Sequence, residues 1–247
     1  MTASSFVTAG GVVLPAVTAE EMREIDRIAT EETGPNLYQM MENAGRSLAT
    51  TAIESLGSAW QTKSIVILAG TGGNGGGGIC AGRHIVNRGG KVALVITDES
   101  RLGGVPAQQL GIYKGTAGEL HSPGDMESLE PSLIIDALIG YSLAGPPRGP
   151  ARDLIEWAEA ASAPRLSLDV PSGIDSTTGE TPGVHVAARE TLTLALPKTG
   201  LDVTGVGGLR LADIGIPAEV YRRAGVEVPT GLFGNGFTVP IRAGAAW

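Results

Sequence analysis

Seven glycines in nine positions, Gly70-Thr71-Gly72-Gly73-Asn74-Gly75-Gly76-Gly77-Gly78, separate the apolar run Ser64 to Ala69 from a helical pattern. Such density removes nearly every β-carbon between a buried strand and a helix N-terminus, so backbone N–H groups can approach an anion at the positive end of the helix dipole. An ordinary turn needs one or two glycines, so the run reads as a phosphate cradle rather than a bare connection. Gly70, Gly72 and Gly75 also satisfy G-x-G-x-x-G, and Asp98 follows the next strand-like run, where an acid could hold a ribose. No Lys-Ser or Lys-Thr follows the glycines, which excludes a P-loop.

The remaining chain supplies the frame for such a loop. Largely apolar runs at Ile65–Ala69, Val92–Ile96, Leu133–Leu138, Leu166–Val170, Thr191–Leu196 and Leu209–Ile214 have the character of parallel strands buried on both faces. Helical stretches at about 78–88, 106–114 and 150–161 alternate with them. Two helices precede the sheet. One starts at the Thr18/Glu21 capping-box spacing; the other runs from Leu37 to Leu56 and stops at Gly57. The expectation is a three-layer, Rossmann-like α/β fold with a doubly wound, mostly parallel sheet in a single domain over residues 16–217. Met1–Pro15 reads as a flexible N-terminal segment. Residues 218–247 read as a short helix, Ala218–Ala224, and then an irregular tail, Thr230–Trp247, packed on the body or on a second subunit.

Charge and cysteine usage narrow the ligand class. The net charge is −8 and there is no basic run with interleaved aromatics, which argues against nucleic acid and acidic membrane surfaces and leaves a small molecule as ligand. The single cysteine, Cys80, excludes an internal disulfide and fits a reducing compartment. Met1–Pro15 lacks the positive start of a signal peptide, and no apolar run approaches the ~20 residues needed to span a bilayer. The expected setting is the cytoplasm.

In an open parallel sheet, ligands bind beyond the carboxyl ends of the strands. Those ends deliver Asn74 in the glycine loop, Asp136 followed by Gly140-Tyr141-Ser142-Leu143-Ala144-Gly145-Pro146, Asp169 with Ser172 and Asp175, and Lys198. Asp136 and Asp169 each follow apolar runs, a setting for a cation site or for acid–base chemistry. Asp175, followed by Ser176-Thr177-Thr178-Gly179, reads as a turn cap. Lys198 reads equally well as facing the rim or as a solvated lysine. His84, His121 and His185 have no ligand spacing and suit surface or capping roles, while Cys80, Met40 and Met41 read as packing residues.

Six ordered segments resemble one known family. Met41-Glu42-Asn43-Ala44-Gly45 is similar to its M-E-N-A-G, the glycine loop to G-x-G-N-N-G-G-D-G, Asp136–Gly140 to D-A-[IL]-F-G, and Asp169–Asp175 to D-[IV]-P-S-G-[LIW]-D. Pro197-Lys198 resembles the end of A-P-K, and Asp213–Pro217 resembles D-I-G-I-P. The family is the YjeF N-terminal domain family of NAD(P)H-hydrate epimerases, also called apolipoprotein A-I binding protein in animals, and the resemblance spans Val17–Pro217.

The resemblance implies an isomerase that interconverts the R and S epimers of NADH or NADPH hydrated at C6 of the nicotinamide ring. It implies one K⁺ per subunit held by Asn74, Asp136 and Ser172, and a homodimer. It also implies substrate contacts from Gly73, Asn74, Gly75, Gly76 and Gly77, from Gly140, Tyr141, Ser142, Leu143, Ala144, Gly145 and Pro146, and from Asp169. Asp169 is the expected acid–base residue, with Lys198 second. Gly73 and Gly77 stand where the family carries Asn and Asp. That departure leaves open an isomerase, dehydratase or cyclase of the same fold acting on another small molecule, or a non-catalytic binding member.

Overall fold

The computed structural model describes residues 5–244. Expectations for residues 1–4 and 245–247 lie outside the described residues. In chain order the elements are β1 (Ser5–Thr8), β2 (Val13–Pro15), α1 (Ala19–Arg27), α2 (Leu37–Leu56), β3 (Ser64–Ala69), α3 (Gly73–Val86), β4 (Lys91–Ile96), α4 (Gly104–Tyr113) and β5 (Glu119–His121). Then follow β6 (Leu133–Ala137), α5 (Gly149–Ala160), β7 (Arg165–Leu168), β8 (Glu190–Leu194), β9 (Gly208–Ala212), α6 (Ala218–Arg223) and β10 (Thr238–Ala243).

The ten strands among the described residues form one sheet in the order β2-β1-β10-β9-β8-β7-β6-β3-β4-β5. The stretch from β9 to β5 is parallel throughout, and β10, β1 and β2 extend it antiparallel. From β3 the chain winds outward through β4 and β5, then returns to the other side of β3 at β6. The junction of β3 and β6 is therefore the switch point at which loops diverge and leave a crevice. Along β3 every residue from Ile65 to Ala69 is buried, and the period-two alternation of side-chain direction explains the layers. Ile65, Ile67 and Ala69 pack with α2, α3 and α4, whereas Val66 and Leu68 pack with α5 on the opposite face.

The expected capping box at Thr18 and Glu21 is present and starts α1; a second, Asn36 with Gln39, starts α2. Gly57, with φ 74°, ends α2. Several strands end earlier than their apolar runs. After β7, Asp169 adopts φ 68° while Val170 N–H bonds back to Leu168 O at 2.9 Å, and after β8, Ala195 repeats the turn with φ 63° and Leu196 N–H to Leu194 O at 2.7 Å. These tight left-handed γ-turns stop the ladders and are costly for non-glycine residues.

The glycine segment differs from the expectation of an open loop: α3 already begins at Gly73. A β-carbon on Gly75 would fall 1.8 Å from Gly70 O, and one on Gly78 would fall 2.6 Å from the Ala137 β-carbon. The glycines thus let a helix lie against the sheet closer than any side chain permits. Asp98 is not a ribose acid here; its Oδ1 accepts Ser100 N–H at 3.0 Å and the Ser100 hydroxyl at 2.7 Å, capping a 3₁₀ turn.

Both chain ends depart from the expected flexible segment and irregular tail. Residues 5–15 build β1 and β2, and β10 lies between β1 and β9. The signal was weak because each strand is short and β10 contains Pro240, which lies beyond the last β1 pair, Thr8 with Ile241. Phe6 and Leu14 are fully buried with Val170, Ile174, Leu211 and Ile241. Phe6→Ala is expected to cost about 3–5 kcal/mol in urea unfolding, the usual penalty for emptying an aromatic core site. Val13→Ala, half-exposed, should stay within about 0.5 kcal/mol.

Candidate active site

A cavity of about 270 Å³ opens at the β3/β6 switch point. Its apolar wall comes from α1 and α2, through Met22, Leu37, Met40, Met41 and Ala44, and from Leu168, Leu194 and Ile214. Its polar groups are Asp26, Asn74, Tyr141, Ser142, Asp169 and Lys198. The cavity therefore suits a flat, largely apolar ring presented to a few fixed polar atoms.

Asp169 is the centre of this set. The left-handed turn carries its carboxylate off the sheet and into the cavity, where it is 3% exposed. Oδ2 accepts Tyr141 N–H at 2.9 Å, and Oδ1 accepts the Lys198 ammonium. Lys198, 1% exposed, also donates to Leu194 O at 2.8 Å and lies 6.0 Å from the centre of the Tyr141 ring. The reading of Lys198 as a solvated lysine is thereby overturned: β8 turns at Ala195, and the chain returns the lysine beneath the rim.

Asn74, in the first turn of α3, borders the cavity with Gly73 and Gly77. Its Nδ2 is buried with no hydrogen-bond partner among the described residues. An unpaired buried donor at a cavity wall is costly unless a ligand satisfies it. The first N–H groups of α3 likewise lack intrahelical acceptors.

Asp136 does not share the cavity with Asp169 as the strand-end argument expected. It is fully buried beneath the rim, with Oδ1 accepting Leu138 N–H at 3.2 Å and the Ser172 hydroxyl at 2.5 Å, and Oδ2 accepting the Ser167 hydroxyl and Ser172 N–H, both at 2.8 Å. Burial pushes its pKa up, against the pull of the Ser172, Ser167 and Leu138 donors. Among the described residues those donors are all uncharged. Ser172 Oγ also lies 3.2 Å from Ile139 O, and the neighbouring Gly140 abuts Asn74 Oδ1.

Of the other expected contacts, Gly140, Tyr141 and Ser142 line the cavity. Gly75 and Gly76 face inward, against Gly70 and Met41. Leu143, Ala144, Gly145 and Pro146 lie outside the cavity wall, Pro146 against Gly183. Asp175 caps its turn as expected, accepting N–H bonds from Thr177 and Thr178.

Met40 and Met41 are buried as expected but also form the apolar wall. The polar residues of the same segment turn away from it. Glu42 pairs with Arg83 at 2.6 Å and His84 at 2.8 Å beside the buried Cys80, and although burial opposes it, this pairing holds the Glu42 carboxyl at about 2. His84 is thus a helix-to-helix tie, not a surface or capping residue. Asn43 Nδ2 donates to Ile214 O at 3.1 Å and steadies the Asp213–Pro217 segment. Asp26 carries no sequence signal, because α1 precedes the sheet and its spacing alone gives no sign that its last turn meets a strand-end loop.

Residues 37–200 match the family described as YjeF-related protein N-terminus. The chain is 47% identical over 241 residues, 98% of each chain, to the NAD(P)H-hydrate epimerase of Dehalogenimonas lykanthroporepellens. It is 34% identical to the enzyme of that name from Rhodopirellula baltica, over 86% of this chain and 89% of that one. It is 36% identical to the bifunctional NAD(P)H-hydrate repair enzyme Nnr of Salinibacter ruber, covering 85% of this chain and 42% of that one. The crystal structure of yeast ynu0, YNL200c, superposes with a TM-score of 0.79 at 22% identity, covering 92% of this chain and all of that one, and so shares the fold. By the family match and by identity along nearly its whole length, this chain belongs to the YjeF-related N-terminal family.

Proposed function

We propose that this protein epimerises NADH and NADPH hydrated at C6 of the nicotinamide ring, interconverting the R and S forms. The observation that carries the reading is Asp169, held in a strained left-handed turn and aimed into an apolar cavity beside the unpartnered Asn74 amide. At C6 the hydroxyl and the ring nitrogen share one carbon, so either loss of the hydroxyl or opening of the ring erases the stereocentre. Both routes require a proton to move on and off that oxygen, which is general acid–base work. We assign that work to Asp169, oriented by Lys198, and the phosphate-bearing side of the nucleotide to the N-terminus of α3 with Asn74. The reading extends to a homodimer, as the family resemblance suggests, and to a cytoplasmic setting, as the single cysteine suggests. Among the described residues, no helix is long and apolar enough to cross a membrane.

The reading includes a K⁺ ion held by Asn74, Asp136 and Ser172. The donor set fits: Asp136 is a fully buried carboxylate with only neutral partners, and every candidate ligand atom is an oxygen, as a hard cation requires. When bound, the ion would supply positive charge that offsets Asp136. The chain's own contribution is mechanical, since Ser172 and Asp136 tie the β7 loop to the β6 loop that carries Tyr141.

Asp169→Asn is expected to lower kcat for conversion of R-NADHX to S-NADHX by about 10²–10⁴-fold, followed by chromatography, with KM little changed. Wild-type kcat in that variant would refute the role. Lys198 is left without its partner in this variant, so its melting temperature should also fall. In a second experiment, replacing tetramethylammonium chloride by KCl at equal ionic strength is expected to raise the wild-type melting temperature, because an ion that binds only the folded state stabilises it. Asp136→Asn should lose that response; an identical response in both proteins would remove the cation from the account.

A further inference from the structure

The cavity contains a second carboxylate with its own proton-handling geometry. Asp26 lies in the last turn of α1 and borders the cavity with Tyr141. The Tyr141 hydroxyl donates to Asp26 Oδ2 at 2.6 Å, while the Tyr141 N–H donates to Asp169 Oδ2 at 2.9 Å. One residue thus spans two carboxylates, holding each by a single oxygen. Among the described residues, Asp26 Oδ1 makes no hydrogen bond and is free to carry a proton toward a ligand. Resting on the epimerase reading, we propose that Asp26 is a second catalytic residue, delivering a proton to one reacting atom of the substrate while Asp169 serves the other.

The chemistry of the centre asks for two such groups. In the ring-opening route Asp169 takes the C6 hydroxyl proton, the C–O bond becomes C=O, and the C6–N1 bond breaks with its electron pair moving to N1. That nitrogen leaves readily only if it is protonated, and Asp26 supplies the proton. Rotation about the C5–C6 bond presents the other face of the aldehyde. N1 then attacks it, the oxygen recovers its proton from Asp169, and N1 returns its proton to Asp26. No atom or electron is gained or lost, and no co-reactant is needed. Paired carboxylates in unlike surroundings are how one site runs acid and base steps together.

The surroundings of Asp26 favour the acid role. Burial pushes its pKa up; the Tyr141 hydroxyl and Lys198 pull it down, and Asp169 pushes it up, with a net rise. Tyr221 on α6 also faces it, and Arg23 on its own helix faces Tyr141. An acid must start protonated, so turnover falls as pH rises through the Asp26 pKa. Removing the Tyr141 hydroxyl takes away a donor that favours the charged form, so that fall moves to higher pH.

The test follows both epimers of NADHX by chromatography across pH with the full chain, Asp26→Asn, Asp26→Glu and Tyr141→Phe. Asp26→Asn is expected to lose about 10²–10⁴-fold in kcat at unchanged KM and to lose the high-pH limb of kcat/KM, with partial rescue by Asp26→Glu. Tyr141→Phe is expected to keep the limb and shift it upward, which a merely structural tyrosine would not do, and this holds the test open even if Asp26→Asn folds poorly. A wild-type kcat and limb in Asp26→Asn, a loss confined to KM, or an unmoved limb in Tyr141→Phe overturns the role while leaving the epimerase reading intact. A wild-type protein that does not epimerise overturns both.

Discussion

The buried pair of Asp169 and Lys198 is the interaction on which the arrangement of the site depends. Two charges taken out of water are tolerated only when each finds the other and further donors or acceptors, and here Tyr141 N–H and Leu194 O complete the set. Meeting that requirement joins distant parts of the chain. Lys198 forms a parallel bridge with Val17, whose N–H bonds to Pro197 O and whose O accepts Thr199 N–H, and the next residue, Thr18, caps α1. The helix that carries Asp26 is therefore docked against the same segment that holds the lysine, and the β6 loop is drawn in through Tyr141.

The glycine segment shows how one sequence feature can serve packing and chemistry at once. Of this segment only Gly73 and Asn74, at the start of α3, together with Gly77, reach the cavity, while Gly75 and Gly78 exist because backbone and side-chain atoms occupy the places of their β-carbons. Close approach of α3 to β3 and β6 is what brings its N-terminus to the switch point. A helix held further from the sheet would withdraw its free N–H groups from the cavity. The departure at Gly73 opens space that nothing among the described residues fills. A larger side chain there would narrow the cavity mouth without disturbing the fold.

Much of the architecture was legible in the sequence because parallel strands buried on both faces must be apolar throughout, and helix starts carry their caps. The α2 boundaries, the capping box at Thr18 and the six parallel runs belong to this class, as do Asn74, Asp169 and the turn cap at Asp175. Illegible were the short strands β1, β2, β5 and β10, whose length is set by their partners rather than by their own periodicity. The early strand ends at Asp169 and Ala195 were also hidden, because a left-handed turn in a non-glycine residue is imposed by its surroundings.

The sequence by itself determined the doubly wound sheet, the glycine-bearing turn at its switch point and the carboxylates at the strand ends, since these follow from local periodicity and the covalent order of elements. Tertiary structure alone decided that Asp136 is sealed beneath the rim while Asp169 faces the cavity, that Lys198 is buried against Asp169, and that Asp26 joins the site through Tyr141. The physical reason is that burial and charge pairing are properties of neighbours in space. Side chains separated by more than a hundred residues, as Asp26 and Tyr141 are, become partners only when packing has placed their elements together.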